Sequence, residues 1–194
     1  MTQNFHPGIF WGDDEVWEEQ RKFALATLKE EGMGKETLEP MILEEVQAYL
    51  NELRKVEGTP YDIAELIHMA SSNVIQSVLL GYRSEYDDEC FRHQVGALLD
   101  RIKACIQTTA TDNIPLIKWL PGDITAKAML IRASQDIYDH TAQCVTDHKM
   151  DLDPSNAKGY LEHYLVKMKA DVGKPTSFNG KRIIFTACIY PYHP

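Results

Sequence analysis

Trp17 and Arg21 are the residues whose types and spacing most clearly indicate a binding function. They lie four positions apart, so a helix would place both side chains on one side. Ala24, Leu25 and Leu28 continue that side, which predicts a buried apolar stripe carrying one permanent cation. A buried guanidinium needs an anion, because burying it alone is costly. From the residues alone, three partners stay open: an acidic side chain, an acidic group on a ligand, or water reached by the long side chain.

The composition of the 194-residue chain is that of a globular domain and argues against several classes of function. Hydrophobic residues make up 44% and charged residues 25%, which is ordinary for one helical core. A net charge of -9 without a basic run argues against nucleic-acid binding. No apolar run is long enough to span a membrane, and the N-terminus has no signal-peptide pattern. By itself this predicts a soluble intracellular chain.

The cysteines and histidines do not form a recognised metal-binding pattern. The four cysteines are widely spaced and include no C-x-x-C pair; they are Cys90, Cys105, Cys144 and Cys188. We expect neither a zinc site nor a disulfide framework, and we predict that the first three are small core residues of helices. His140 and His148 stand eight apart near several aspartates, a spacing that fits neither a zinc site nor a calcium loop.

Six helices are predicted from hydrophobic period, caps and breakers. Their approximate limits are residues 14–31, 40–57, 63–80, 86–109, 124–149 and 154–168, with a connection at 110–123. The second helix is predicted to turn inward its apolar positions Leu43, Val46, Tyr49 or Leu50, Leu53 and Val56. The fourth is predicted to turn inward Phe91, Val95, Leu98, Leu99, Ile102 and Ile106. Asp153-Pro154 is read as the capped start of the last helix.

Several short motifs stand in one order along the chain. They are Gly8-Ile-Phe10, Trp17-x-x-x-Arg21-Lys-Phe23, Gly32-Met-Gly-Lys35, Ser71-x-Asn-Val-Ile75, Gly81-Tyr-Arg83, Leu120-Pro-Gly122 and Tyr160-Leu-x-x-Tyr-Leu-x-Lys-Met168. This order resembles the microsomal cytochrome P450 monooxygenases, in particular the animal group similar to family 2. The resemblance runs from the end of the B–C loop through helix G to the approach to helix I.

The resemblance implies an all-α chain that forms part of the cytochrome P450 fold, with helices C to G and the segment after, and no complete haem pocket. Residues 1–178 are predicted to be a partial cytochrome P450 domain. After Ser177-Phe178 the family would enter helix I, whereas this chain reads NGKRIIFTACIYPYHP. Residues 179–194 are therefore predicted to be a disordered tail outside the family pattern.

The resemblance also supplies an anion for Arg21, since the matching Trp and Arg of the family donate hydrogen bonds to the haem propionates. It implies haem b as cofactor, held in part by Trp17 and Arg21. The positions that would line the substrate pocket are Ile9, Phe10, Trp11, Thr108 and Ser134. The family's iron is held by cysteine in a Phe-x-x-Gly-x-x-x-Cys-x-Gly motif, which none of the four cysteines matches. No metal ligand or catalytic residue is assigned.

By resemblance, the function is that of a haem-thiolate monooxygenase, which inserts one atom of O₂ into a small apolar substrate. Its electrons would come from NADPH-cytochrome P450 reductase. The family acts at the cytoplasmic face of the endoplasmic reticulum membrane, so membrane contact would come from an N-terminal anchor or from residues 114–120. The chain itself is predicted to lack an anchor, to be cytoplasmic and to be inactive alone. The alternative is a non-catalytic helical truncated isoform that acts through protein binding.

Overall fold

The computed structural model describes residues 14–112, 126–180 and 182–183, and for Asp14 and residues 110–112 it describes the backbone alone. These residues form six α-helices and one short 3-10 helix, Glu36–Leu38, and contain no strand. The α-helices are α1 Asp14–Glu30, α2 Glu39–Lys55, α3 Ala64–Leu80, α4 Glu89–Asp112, α5 Lys127–Asp151 and α6 Gly159–Ala170. The all-α prediction is confirmed. Within the described ranges, no helix has both the length and the apolar character needed to cross a bilayer.

Most helix ends lie close to capping or helix-breaking residues in the sequence. The carboxylate of Asp62 accepts a hydrogen bond of 2.9 Å from the Ala64 N–H at the start of α3. At the other end, Gly81 is left-handed with φ +83°. The last helix is the exception, because Asp153 accepts the Ser155 N–H in a separate turn at 2.9 Å. Helix α6 begins only at Gly159, so the predicted start at Asp153-Pro154 is wrong.

Helix α6 forms the centre of the main core. Tyr164 and Leu165 are fully buried, and α6 contacts α1, α3 and α5. The Phe23 ring of α1 lies 5.0 Å from that of Phe178 and 5.8 Å from that of Tyr164, both edge-to-face. Such ring pairs add to the free energy of apolar burial. This aromatic cluster fixes the side of α1 that faces inward.

Two glycines allow α3 and α6 to meet at very short range. Gly159 has φ +66°, and a Cβ placed on it would lie 2.6 Å from the backbone nitrogen of Gly81. A Cβ on Gly81 would in turn lie 2.9 Å from the Lys158 Cβ. Neither position accepts a side chain without moving a helix end.

A buried polar network joins α2 to α3 and to the segment before α4. Glu45 is only 4% exposed. It accepts hydrogen bonds from Arg83 Nε at 3.1 Å, from Asn73 Nδ2 at 3.4 Å and from the Tyr86 hydroxyl. Burial and the hydrogen bond to Glu45 raise the pKa of Tyr86. The network explains how a carboxylate lies inside the fold.

The inward faces of α2 and α4 differ in part from the prediction. On α2, Leu43 is 57% exposed, and Val46 and Leu50 are also exposed, since the helix is rotated to bury Glu45. On α4, Phe91 and Val95 are buried as predicted. Ile106 is 67% exposed, and Ile102 is exposed too. Apolar period located these helices, but it identified their buried sides only in part.

Helices α4 and α5 form an antiparallel pair. Ala97 of α4 clusters with Ile137 of α5, and Ala104 of α4 clusters with Leu130 of α5. The residue numbers rise on one helix as they fall on the other. Small side chains at the contact allow the two backbones to approach closely.

The residues just after Phe178 belong to the core. Ile183 is 2% exposed and clusters with Tyr164, Leu165 and Phe178. The Arg182 guanidinium donates a hydrogen bond of 2.7 Å to the Ser177 carbonyl. Residues 179–180 and 182–183 are therefore packed, whereas the tail was predicted to be disordered from residue 179. The domain boundary at residue 178 remains a prediction.

Candidate functional site

Helix α1 turns one side to the core and another to solvent. Its buried residues are Gln20, Ala24 and Thr27, which are 0%, 8% and 3% exposed. Gln20 Nε2 donates a hydrogen bond of 2.7 Å to the Ser177 hydroxyl. Together with the ring of Phe23, these contacts attach α1 to α6 and to the segment that follows it.

Trp17 and Arg21 lie on the solvent side of α1. Trp17 is 43% exposed, and Arg21 is exposed as well. The centre of the Arg21 guanidinium lies 5.4 Å from the centroid of the Trp17 ring, within cation–π range. The i, i+4 pairing predicted from spacing is therefore confirmed. The predicted burial is confirmed for Ala24 but wrong for Trp17, Arg21 and Leu25, because the buried stripe is rotated by roughly 80° about the helix axis from the predicted one.

The acidic neighbours of Arg21 on α1 are engaged elsewhere. Glu18 forms a 2.7 Å ion pair with Lys22, whose hydrogen bond lowers the pKa of Glu18. Glu19 accepts the Ser177 N–H at 3.3 Å. Among the described residues, no carboxylate lies within ion-pair distance of the Arg21 guanidinium. The pair thus presents a permanent cation and an indole N–H donor to solvent.

Thr108 and Ser134 lie on the two helices of the antiparallel pair but at different levels. Thr108, on α4, is 5% exposed. Ser134, on α5, has a buried hydroxyl oxygen without a hydrogen-bond partner among the described residues. The pairing of Ala104 with Leu130 places Thr108 level with the start of α5. The two side chains are then about 12 Å apart along the helix axes, at 1.5 Å per residue.

The other predicted pocket residues cannot be placed in this structure. Ile9, Phe10 and Trp11 lie outside the described residues, as do residues 114–120. Of the predicted site, the structure thus brings together Trp17 and Arg21. It does not bring Thr108 together with Ser134.

The described cysteines are more accessible than predicted. Cys90 is exposed, and Cys105 and Cys144 are half-buried, so the prediction that Cys90 is a core residue is wrong. Cys188 lies outside the described residues. Within the described part of the chain, no group of three or more His, Cys, Asp or Glu side chains is arranged to hold a metal ion. Sequence reasoning missed one contact, in which both Cys90 and Cys144 approach His140.

The spacing of His140 and Cys144, four apart on one helix, was a signal that could have found half of that cluster. Cys90 is fifty positions away from His140, and only the antiparallel packing of α4 on α5 brings it there.

Comparison with known proteins agrees with the motif order. The family model described as Cytochrome P450 matches residues 2–187. Cytochrome P450 2B9 of Mus musculus is 33% identical over 168 residues, which cover 84% of this chain and 33% of that relative. Cytochrome P450 2B4 of Oryctolagus cuniculus is 32% identical over 184 residues, covering 92% of this chain and 37% of that relative. The chain therefore belongs to the cytochrome P450 family.

The matches cover most of this chain but only part of each relative. The chain spans about a third of the length of the relatives it matches. A match of similar extent is found with Cytochrome P450 2F2 of Mus musculus, which is 33% identical over 183 residues. This match covers 92% of this chain and 37% of that relative. Family membership implies haem as cofactor, and the donor set of Trp17 and Arg21 fits the carboxylates of haem rather than its iron.

Proposed function

We propose that this chain forms one wall of the haem site of a haem-thiolate monooxygenase, in which Trp17 and Arg21 bind the haem propionates. The observation that carries the proposal is the exposed Trp17–Arg21 pair on α1, whose cation has no carboxylate partner among the described residues. Both side chains are hydrogen-bond donors without acceptor atoms, which suits a pair of carboxylates.

The geometry of the pair favours carboxylate binding over simple solvation. A guanidinium forms two parallel charge-assisted hydrogen bonds with one carboxylate, and these are stronger than bonds between neutral groups. Contact with the Trp17 ring restricts the Arg21 side chain before a ligand arrives, so less conformational entropy is lost on binding. The Trp17 indole N–H can serve a second carboxylate oxygen on the same side of the helix.

The two residues would bind and orient the cofactor, and haem, when bound, supplies the oxygen-activation chemistry. We expect the 194-residue chain alone to lack monooxygenase turnover, because none of its four cysteines stands in the family's iron-ligand motif. In the complete site, Ile9, Phe10, Trp11, Thr108 and Ser134 would line the pocket for a small apolar substrate. The buried hydroxyl of Ser134 has no hydrogen-bond partner among the described residues. It would donate a hydrogen bond to one polar atom of that substrate or accept one from it.

The remaining expectations concern the whole protein and belong to the same proposal. Electrons would come from NADPH-cytochrome P450 reductase. The site of action would be the cytoplasmic face of the endoplasmic reticulum membrane, reached through an N-terminal anchor or through residues 114–120. The net charge of -9 fits neither a nucleic-acid partner nor an anionic lipid surface.

A haem titration of the purified chain tests the propionate site. We compare the wild type with Arg21→Ala and with Lys22→Ala, because Lys22 is the adjacent exposed cation but pairs with Glu18. Losing the charge-assisted bonds of Arg21 should weaken haem binding about tenfold or more. Lys22→Ala should bind as the wild type does, and circular dichroism checks that all three proteins are equally helical. Equal weakening by both substitutions would contradict the assignment of Arg21.

The reduced protein under carbon monoxide gives a second readout. Thiolate-ligated haem has a red-shifted absorption band, and we expect the 194-residue chain to lack it. Appearance of the band would show that one of the cysteines binds iron and that the expected inactivity is wrong. A helical, soluble chain that binds no haem would contradict the propionate site and leave the alternative of a non-catalytic protein-binding isoform.

A further inference from the structure

A cluster of two thiols and an imidazole lies where the start of α4 meets the second half of α5, apart from the Trp17–Arg21 pair on α1. The Cys90 sulfur lies 3.6 Å from Nδ1 of His140. The Cys144 sulfur lies 3.4 Å from Nε2 of the same ring. Each ring nitrogen therefore faces one sulfur, and the imidazole stands between the two thiols.

The surroundings keep His140 able to accept a proton. Burial lowers the pKa of His140, and the nearby His93 lowers it further, while Asp88 acts in the opposite direction. At neutral pH the ring is then uncharged, with one N–H and one nitrogen free to accept a proton. The titratable groups around it are Asp88, Cys90 and His93 from the side of α4 and Cys144 from its own helix.

The two thiols differ in how easily a reagent can reach them. Cys90 is exposed in the first turn of α4. Cys144 is half-buried, and burial, followed by the charge of Asp147, raises the pKa of its thiol. Because a thiolate is the attacking species, the exposed Cys90 is the better nucleophile of the pair: a reagent can reach it, whereas burial disfavours the thiolate of Cys144.

We propose that Cys90 is a thiol–disulfide exchange site for small soluble disulfides, with His140 as the base that accepts its proton. As the Cys90 S–H bond breaks, the proton moves to Nδ1 of His140 and the sulfur attacks one sulfur of the disulfide. The S–S bond of the reagent breaks and a new S–S bond forms at Cys90. Cys90 is oxidised, and the other half of the reagent leaves reduced, as a thiol that takes the proton from His140.

The position of the imidazole also determines the fate of the product. Cys144 contacts the far nitrogen of the ring, so the imidazole stands between its sulfur and the Cys90 mixed disulfide. A second exchange to an internal Cys90–Cys144 bond would require the ring to leave both contacts. The site therefore retains the small thiol instead of releasing it.

The test uses the full chain and dithiodipyridine, a neutral aromatic disulfide whose released thione is followed by absorbance. Peptide mass spectrometry gives the modified cysteine. At neutral pH, His140→Asn should slow modification of Cys90 about tenfold, since a positioned base is lost. The control His68→Asn removes an exposed histidine on α3 and should leave the rate unchanged. Cys144→Ala should keep the fast rate and the mixed disulfide, because the Cys90–His140 contact remains.

The pH profile separates a base from a merely structural histidine. In the wild type the Cys90 rate should change little while His140 stays neutral. In His140→Asn the rate should fall as the pH is lowered, because the thiolate then forms only by loss of its proton to solvent, so the ratio of the two rates should grow between about pH 8 and about pH 6.5. A constant ratio, a wild-type rate in His140→Asn, or equal rates at Cys90 and Cys105 would each overturn the proposal.

Discussion

Gly159→Ala tests the close approach of the end of α3 to the start of α6. At this residue φ is +66°, and an added Cβ would lie 2.6 Å from the Gly81 nitrogen and 2.8 Å from the Leu80 carbonyl carbon. Backbone atoms cannot rotate aside as a side chain can. The substitution therefore requires the end of α3 and the start of α6 to move apart, against the packing of the core around α6.

Two effects contribute to the expected loss. A left-handed backbone costs alanine about 1 kcal/mol more than glycine. The steric overlap should add about 2 kcal/mol, as overpacking of a tight core does. Gly173 isolates the first effect, because it has φ +83° and open space around its Cβ position. We expect destabilisation by about 3 kcal/mol for Gly159→Ala and about 1 kcal/mol for Gly173→Ala.

Urea unfolding followed by far-ultraviolet circular dichroism measures both changes. The wild type, Gly159→Ala and Gly173→Ala are compared at equal concentration, and their m values show whether the unfolding transition is the same. A loss of about 3 kcal/mol is a large fraction of the stability of a typical domain. If the two variants lose the same free energy, the reasoning from close approach is refuted and only the backbone conformation matters.

Three further changes follow from buried polar groups. Glu45→Ala should destabilise the fold by about 3 kcal/mol, because it leaves Arg83 without its buried carboxylate partner. The same urea titration measures this change. A loss of unfolding free energy below about 1 kcal/mol would contradict a stabilising buried network. Tyr160→Phe should be neutral or stabilising by about 1 kcal/mol, because the Tyr160 hydroxyl is buried without a hydrogen-bond partner among the described residues. Tyr164→Phe should instead destabilise the fold, because the Tyr164 hydroxyl forms hydrogen bonds with the backbone of Asn179. Burial raises the pKa of Tyr160 above that of the unfolded chain, so stability should fall as the pH rises beyond about 10, and it should fall less in Tyr160→Phe.

Local features of the sequence predicted the helices well, because caps and breakers act within a few residues. Asp62 and Gly81 flank α3, in agreement with the predicted limits of residues 63–80. Asp153 carried the same kind of signal but serves a separate turn, since the true start of α6 depends on Gly159 fitting against Gly81. A signal that depends on a contact about eighty residues away cannot be read from neighbouring positions.

In the candidate site too, the local sequence determined one feature and distant contacts determined another. The i, i+4 spacing of Trp17 and Arg21 determined that they would meet on one side of a helix, whatever that helix packed against. Which side of α1 is buried was decided by Phe23 packing among the aromatic rings around α6 and by Gln20 bonding to Ser177. Those contacts leave Arg21 exposed, with no described carboxylate to neutralise it.

The sequence by itself determined the family, the all-helical class and the pairing of Trp17 with Arg21, because motif order and helical period are properties of the chain alone. Only the tertiary structure decided which helix sides are buried, that Glu45 lies inside, and that Cys90 meets His140. The physical reason is that burial is a property of two surfaces together. A periodic pattern describes one of them, and the partner comes from distant parts of the chain.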